Sequence, residues 1–582
     1  MEEHYWTRTG PLAGATRSKT RRLSRRSFLA GAAGAGLLVA CGGNKTNNAA
    51  RTSSGAPVAT SASTGGATAA ATAQANVPKG GSLTKSIIAT DAKGFHPYLT
   101  TDSPSAEYQG YVWGSSGLTH HDPATLALIP LAAQKWTLSD DKKTYTFTLK
   151  DMKWSDGIPV TTADYVWSYE QAKKPENKYP YITNFDAIES YVAKDDKTLV
   201  VTMTDPLVVG LEQSDVITPL PKHIWEKLDW SDSTKNSEIL SPTVGNGIFK
   251  LKEWKKDDHA TFLANDLTHE GRPNIDSLTI RVIGTPALAY QALKSGEIDW
   301  NSGIQPSDYK EAKTLSNINV PEWYPARGSW GYVGFNLRRD VVKDPLVRKA
   351  IAFATDRKGI IDAAFFSLAK PIYSSFVQES WVYNPNVEHY DFSPDKSKEL
   401  LKQAGYALNG NKKLAKDGKE LKLKLVYPTS SKPREAIATI LQQQLGDLGI
   451  ALDVQGLEFQ AYVSAIQKDP WDFDLQLGAW NATIEPHFLK QIWAEKGIPS
   501  LNAGAYVNKQ VEDLFDQGGK EFDREKRKAI YGQIQKILTD DLPYVFVYEA
   551  LNYAGVNKKV GGISPTPLGI DYNLDKWYIS KQ

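Results

Sequence analysis

The residue types that carry most enzyme chemistry occur in this chain without the spacing that catalysis requires. The sequence contains no G-x-S-x-G nucleophile elbow, no H-E-x-x-H zinc motif and no G-x-x-x-x-G-K-[ST] phosphate loop. Its nine histidines include one adjacent pair, His120 and His121, which on a strand would point to opposite faces and could not readily share a metal ion. No pair of acidic residues is marked by its context as acid and base. The sequence therefore predicts binding without catalysis, cofactor or metal.

Aromatic side chains mark the candidate contacts for a ligand. The chain has 16 Trp and 27 Tyr, and although a large core takes most of them, amphipathic rings also suit a cleft that holds ligands. Trp480 ends the segment FDLQLGAW, and Trp330 and Tyr332 alternate on one side of the segment SWGYVGFN. The candidate ligand contacts are Tyr108, Tyr111, Trp330, Tyr332, Asn336, Ala479, Trp480, Asn481, Thr483, Glu485 and Tyr548.

The only cysteine, Cys41, ends a segment that reads as an export signal. Arg25 and Arg26 precede an uncharged run of small and apolar residues over 28–40, which is the order of a secretory signal and too short for the roughly 20 residues of a membrane span. The Arg pair resembles a twin-arginine signal, and the sequence LVAC resembles a bacterial lipobox, in which the cysteine carries a diacylglycerol. We expect residues 1–40 to be a signal peptide and Cys41 to anchor the protein outside the cytoplasmic membrane.

The composition of the chain after residue 40 limits the classes of partner that it can bind. Residues 1–40 carry seven Lys and Arg against two Asp and Glu, so their removal changes the net charge from +2 to about −3. No basic excess remains for nucleic acid, and a lipidated Cys41 leaves no thiol for a disulfide or a zinc site. Residues 41–79, rich in Ala, Ser, Thr, Gly and Asn, read as a flexible linker with a reach of about 30 Å.

The remaining stretch of about 500 residues is larger than one hydrophobic core supports, so we expect at least two lobes. The first half is rich in strands: KTYTFTLK, KTLVVTMT and GIFKLKEWKKDDHATFLAN alternate polar and apolar residues. Helices are predicted for TTADYVWSYEQA, with Thr162 as its cap, and for TPALAYQALKS, which Gly296 ends.

The second half has an α/β pattern. A helix begins in DPLVRKAIAFA with Asp344 as its N-cap and Pro345 in its first turn. The strand LKLKLVYP, the helix REAIATILQQQLGD, which Gly449 ends, and the strand IALDVQGL form a β-α-β unit with parallel strands over 421–457. Ligands of such sheets sit beyond the carboxyl ends of the strands. The end of FDLQLGAW, at Ala479, Trp480 and Asn481, is therefore predicted to face a binding crevice.

Several motifs in this order resemble the extracellular solute-binding proteins of the dipeptide/oligopeptide class (family 5) of ABC importers. They include KWTLSDDKKTYTFTLKDMKWSDGIPVTTADYVWSYE, GRPNIDSLTIRVI, ALKSGEIDW, DPLVRKAIAFATDRKGII and LLKQAGY, and the resemblance covers roughly residues 80–582. It implies an α/β fold, a two-lobed periplasmic-binding-protein-like clamp of class II, with an extra subdomain in lobe I. The implied divisions are 80–120, 240–332 and 551–582 in lobe I, 121–239 for the extra subdomain and 333–550 for lobe II, with FNLRR beginning the crossing into lobe II.

The segment GAWNATIEPHFL departs from the pattern of the family's peptide binders. In those proteins a Trp is followed shortly by an Asp, which neutralises the α-ammonium of the peptide, and then by an acidic residue and Pro. Trp480 and Glu485 match, but Thr483 stands near the place of the Asp. A buried ammonium without a carboxylate costs several kcal/mol, so the sequence leaves open whether Glu485 replaces the Asp.

The resemblance implies capture and delivery. We expect the clamp to close on a peptide or similar solute and to dock, as a monomer, on an ABC permease whose ATPase subunits are separate chains. Two alternatives stay open within the same fold, an oligosaccharide or a metal chelate as ligand. An exported glycoside hydrolase, rich in Trp, is the rival from the class of enzymes.

Overall fold

The computed structural model describes residues 77–580. The predictions for Arg25, Arg26 and Cys41, and for most of the linker, lie outside these residues. Within 77–580, no helix is both long and apolar enough to cross a membrane. The described residues form two lobes, each built on one large mixed sheet.

Lobe I is organised around a seven-stranded sheet. Its first strand, Ser82–Ile88, pairs in parallel with Ser277–Ile283, and the predicted hairpin forms from Phe249–Lys255 and His259–Ala264. The remaining strands are Trp300–Asn301, Ile318–Asn319 and Gly555–Asn557. The helices of this lobe are Ser103–Trp113, Pro286–Ser295 and Tyr309–Ala312. Gly296 ends the second of them with a φ of 79°, which confirms its predicted role because a left-handed backbone suits glycine.

The segment expected to form an extra subdomain, 121–239, contains a four-stranded antiparallel sheet. The strands are Ala133–Leu138, Thr144–Leu149, Ile188–Ala193 and Thr198–Met203, beside a hairpin of Thr119–His121 and Leu128–Pro130 and the helices Thr162–Lys173, Gly210–Ser214 and Lys222–Trp225. The prediction that Thr162 caps the first helix is wrong by one residue. The cap is Thr161, whose N–H donates to Asp164 at 2.9 Å, because only there does the carboxylate fall three residues into the helix.

Lobe II is organised around a six-stranded sheet. In spatial order its strands are Ala369–Pro371, Tyr544–Ala550, Ser329–Phe335, Leu475–Asn481, Lys422–Pro428 and Ala451–Leu457. The last two pair in parallel over seven residues, joined by the helix Lys432–Asp447, which confirms the predicted β-α-β unit. We call Ser329–Phe335 the crossing strand, Tyr544–Ala550 the return strand and Leu475–Asn481 the site strand.

The other helices of lobe II cover this sheet. Asp344 caps the helix Pro345–Ala354 by accepting a hydrogen bond from the Leu346 N–H at 2.9 Å, as predicted. The further helices are Asp340–Lys343, Arg357–Phe365, Pro394–Gln403, Phe459–Gln467, Lys490–Trp493, Lys509–Lys520 and Arg524–Asp541.

The chain passes between the lobes at a different place from the one expected. The boundary predicted between residues 332 and 333 divides the crossing strand, which lies whole in the lobe II sheet. The preceding strand, Glu322–Trp323, pairs with Asn552–Tyr553 outside that sheet. The passage into lobe II therefore spans residues 324–328, and the FNLRR segment lies beyond it. The chain leaves lobe II at Leu551, between the strand Tyr544–Ala550 and the strand Asn552–Tyr553.

Asn336 has a structural role at the end of the crossing strand. Its side chain is fully buried and donates to the carbonyls of Trp471 at 3.1 Å and Phe473 at 2.9 Å. We expect Asn336→Ala to lower the free energy of unfolding by about 2–3 kcal/mol, because two buried carbonyls lose their donor. Urea denaturation measures this, with the exposed Asn411→Ala as the control. Equal stabilities of the two variants would contradict the assignment.

His96 makes the stability of lobe I depend on pH. The ring is fully buried between the Trp230 carbonyl, 2.9 Å from Nε2, and the Tyr98 N–H, which donates to Nδ1. Burial lowers the pKa of His96 from 6.5 to about 3. Unfolding therefore takes up a proton below pH 6.5, and the stability due to the neutral ring is lost as the pH falls. Between pH 7 and 5 the wild type should lose about 2 kcal/mol through this group. The stability gap to His96→Gln should narrow by that amount in calorimetry, and a gap independent of pH would contradict the assignment.

Candidate functional site

The site strand ends where the sequence predicts a ligand. It pairs antiparallel with the crossing strand from Leu475 to Asn481, so that Trp480 lies directly opposite Trp330. Ala479 and Trp480 are half-buried, and Asn481 is exposed. Because the parallel strand Lys422–Pro428 ends at the same edge of the sheet, this edge is where α/β folds bind ligands.

Trp480 is the outer ring of an aromatic stack. Its plane is within 13° of that of Tyr332, with centroids 6.4 Å apart, and Tyr332 stacks in turn on Tyr544 at 3.9 Å. Tyr332 and Trp330 are almost completely buried and pack with Phe546 in the core of lobe II. The stack therefore holds the Trp480 ring in place and leaves part of it accessible.

Thr483 and Glu485 follow the site strand, and their side chains form hydrogen bonds with other groups of the protein. The Thr483 hydroxyl donates to the Glu485 carbonyl at 2.8 Å. The Glu485 carboxylate accepts from Arg527 at 2.5 Å and from the His487 N–H at 2.8 Å, with the Arg527 and Glu485 side chains only 9% and 11% exposed. Separating such a buried pair is costly, so Glu485 is not free to neutralise a ligand ammonium.

Tyr108 and Tyr111 lie in the core of lobe I. The Tyr108 hydroxyl donates to Asp91 at 2.9 Å, and the Tyr111 hydroxyl donates to Glu107 at 3.0 Å. Burial raises the phenol pKa of both residues above the usual value. These contacts account for both side chains without a ligand.

Two further candidates lie away from Trp480. Asn336 follows the end of the crossing strand that pairs with the start of the site strand, about 20 Å from Trp480 by the rise of the strand. Tyr548 packs against Phe365 on the opposite face of the sheet from Trp330. A Cβ on Gly331 would meet the Tyr548 ring at 2.0 Å, so glycine at 331 makes room for it. Of the candidates, the structure brings together Trp330, Tyr332 and 479–485.

Two polar residues that the sequence analysis missed lie in the site strand and in the helix Lys432–Asp447. Gln476 is fully buried, and its Nε2 has no hydrogen-bond partner, while its Oε1 accepts from the Tyr462 hydroxyl at 3.0 Å. Arg434, in the first turn of Lys432–Asp447, has a buried Nε–H that also lacks a partner. Burial raises the phenol pKa of Tyr462, and the positive charge of Arg434 opposes this increase. A Gln inside an apolar strand and an Arg after a helix-initiating Pro were the available signals.

A buried charge cluster lies where the chain returns to lobe I. Lys370 donates to Glu379 at 2.6 Å and lies 3.6 Å from Glu549, the last residue but one of the return strand. Burial, followed by the neighbouring Glu379, raises the pKa of Glu549 to about 8. The Lys370 ammonium also lies 3.8 Å from the ring centre of Tyr324, in the passage into lobe II. The cluster therefore ties both chain passages together.

The rings of His120 and His121 contact different side chains. The ring of His120 stacks on Tyr572, whereas His121 Nε2 lies 3.4 Å from Glu212. Over residues 77–580, no group of three His, Cys, Asp or Glu side chains is arranged to hold a metal ion.

Comparison with known proteins identifies a family. Residues 127–497, more than half of the chain, match the family described as bacterial extracellular solute-binding proteins, family 5 Middle. The oligopeptide-binding protein AppA of Bacillus subtilis is 27% identical over 550 residues, which cover 94% of this chain and 96% of that protein.

Solved structures have the same fold. That of AppA from Bacillus subtilis in complex with a nonapeptide has a TM-score of 0.66 at 27% identity, covering 87% of this chain and 100% of that one. NikZ from Campylobacter jejuni in complex with Ni(L-His), at 24% identity and a TM-score of 0.66, covers 86% of this chain and 99% of its own, and shows the fold alone. The chain belongs to the family 5 extracellular solute-binding proteins of ABC importers: it has their two-lobed fold, works on the extracytoplasmic side and is a transport binding protein, not an enzyme.

Proposed function

We propose that the protein captures peptides between its two lobes and delivers them to an ABC permease. The single observation that carries the peptide assignment is the unpaired edge of the site strand. Its parallel neighbour, Lys422–Pro428, pairs with it only at Leu475 and Gln476. From Gly478 to Asn481, no strand within 77–580 occupies that side. An extended peptide adds to such an edge through main-chain hydrogen bonds, which do not depend on its sequence.

The polar groups beside this edge suit the carboxyl end of a peptide. Arg434 supplies a buried guanidinium N–H, and Gln476 supplies an unpaired amide N–H₂. Both are donors, and Arg434 also stands in the first turn of a 16-residue helix, where the helix dipole favours an anion. We propose that the carboxylate of a peptide accepts hydrogen bonds from both.

The amino end of the peptide has no acidic partner at the expected place. Thr483 is neutral, and Glu485 is paired with Arg527. We therefore propose that a free α-ammonium is not required, and that Ala479, Trp480 and Asn481 contact the ligand main chain and its first side chains. Among the other candidates, Trp330 and Tyr332 support Trp480 from below.

The remaining parts of the proposal concern location and assembly. Arg25 and Arg26 would direct export, and a diacylglycerol on Cys41 would hold the monomeric protein at the membrane through its linker. This rests on the sequence of residues 1–79. Oligosaccharides and metal chelates remain alternative ligands, and the binding experiment below distinguishes them.

Trp480→Ala is expected to weaken peptide binding about tenfold, because the accessible ring face contributes about 1–1.5 kcal/mol. Calorimetric titration with a defined pool of penta- to nonapeptides measures this. Trp136→Ala, a half-buried Trp of the extra subdomain, is the matched control.

Native mass spectrometry of the protein from its own host identifies the natural ligand. Co-purified peptides support the proposal, whereas a single glycan or chelate mass, or equal binding by both variants, would contradict it.

Blocking the two ends of a peptide should have unequal effects. We expect C-terminal amidation to weaken binding about tenfold through loss of a charged hydrogen bond, and N-terminal acetylation to change it less than threefold. In Arg434→Ala, amidation should no longer matter, while the exposed Lys432→Ala serves as the control for charge. A large loss on acetylation in the wild type would show that an ammonium site exists elsewhere.

A further inference from the structure

The extra subdomain contacts lobe II directly, apart from the two chain passages. The Val208 N–H donates to the Gly519 carbonyl at 2.9 Å, and Arg524 donates through Nη2 to the Thr125 carbonyl. Thr125 lies in the loop of the subdomain hairpin, and Gly519 and Arg524 flank the turn between the last two helices of lobe II. We call these contacts, together with the packing of Leu126, the clasp.

The hairpin loop is held rigid before it meets lobe II. The Asp122 carboxylate accepts hydrogen bonds from the N–H and the hydroxyl of Thr125, at 2.7 and 2.8 Å, and these bonds lower the pKa of Asp122. The Leu126 carbonyl lies 3.0 Å from Nδ1 of His121. Because the loop is already ordered by these bonds, its contact with lobe II costs less conformational entropy.

Leu126 is buried although it stands at the tip of a polar loop. It is only 5% exposed because it packs with Ala326 and Ile484, which are 1% and 3% exposed. Ala326 lies in the passage into lobe II, and Ile484 follows the site strand by three residues. Leu126 therefore contacts both the passage into lobe II and the segment that follows the site strand.

The receiving surface on lobe II is built around one tryptophan. The guanidinium groups of Arg524 and Arg527 lie 4.3 and 5.2 Å from the ring centre of Trp381, and the Trp381 indole N–H donates to the Ile484 carbonyl at 2.9 Å. Arg524 is the first residue of its helix, where a positive charge opposes the helix dipole. The dipole of the helix does not favour this Arg, whose guanidinium instead contacts the Trp381 ring and the Thr125 carbonyl.

We propose that the extra subdomain works as a clasp: Arg524 and Leu126 hold the two lobes together beside the end of the site strand and so set how long a ligand is held. The inference rests on the proposed function, because Ile484 connects the clasp to the peptide-binding edge. Opening the lobes requires the Thr125–Arg524 hydrogen bond to break and Leu126 to leave its apolar site. The extra subdomain therefore controls ligand release without contacting the ligand.

Stopped-flow measurement of peptide dissociation tests the clasp in the full chain. We expect Arg524→Ala and Leu126→Ala each to speed dissociation about tenfold, as the loss of a charged hydrogen bond or a buried Leu contact implies. Association should change much less. Lys528→Ala, an exposed residue of the same helix, and Leu288→Ala, an exposed Leu of lobe I, are the matched controls and should stay within twofold. Unchanged dissociation in both clasp variants would overturn the proposal.

A second measurement does not depend on binding. Hydrogen exchange of residues 204–210, which include the Val208 amide, should become faster in Arg524→Ala, and small-angle scattering should give a larger radius of gyration. Unaltered exchange and an unaltered radius would overturn the clasp whatever the ligand is. A wild-type protein that binds no peptide while Arg524→Ala still opens would overturn the proposed function and leave the clasp standing.

Discussion

The antiparallel pairing of the crossing strand with its two neighbours is the interaction on which the rest of the structure depends. Ser329–Phe335 has the return strand on one side and the site strand on the other. One register therefore fixes where the chain enters lobe II, where it leaves and where Trp480 stands. A slip of one residue would turn every side chain of this strand to the other face and would separate Trp480 from the stack of Tyr332 and Tyr544.

Local pattern was enough to predict most elements. The β-α-β unit over 421–457, the Asp344 cap and the Gly296 stop depend on residues within a few positions of one another, so periodicity and cap chemistry identify them. The passage between the lobes could not be located this way. Its position depends on which sheet Ser329 joins, and the residue that pairs with Ser329 there, Asn481, lies 152 positions further along the chain.

The site was predicted less completely than the fold for the same reason. The end of the site strand follows from the rule for α/β sheets, and Trp480 is where that rule places it. Whether an aromatic ring lines a cleft or packs in a core depends on distant neighbours, as Tyr108 with Asp91 and Tyr548 with Phe365 show. Glu485 pairs with Arg527, which lies 42 positions further along the chain. Because of this ion pair, the carboxylate is not available to a ligand.

The two chain passages run side by side, and this has a mechanical consequence. Glu322–Trp323 pairs with Asn552–Tyr553 on the lobe I side, and the crossing and return strands pair on the lobe II side. Two connections fastened to each other at both ends resist shear and torsion, while they still allow bending across their common width. This paired arrangement therefore favours rotation of the lobes about one axis over twisting or sliding. Rotation about one axis would bring the same two surfaces of the lobes together at each closure.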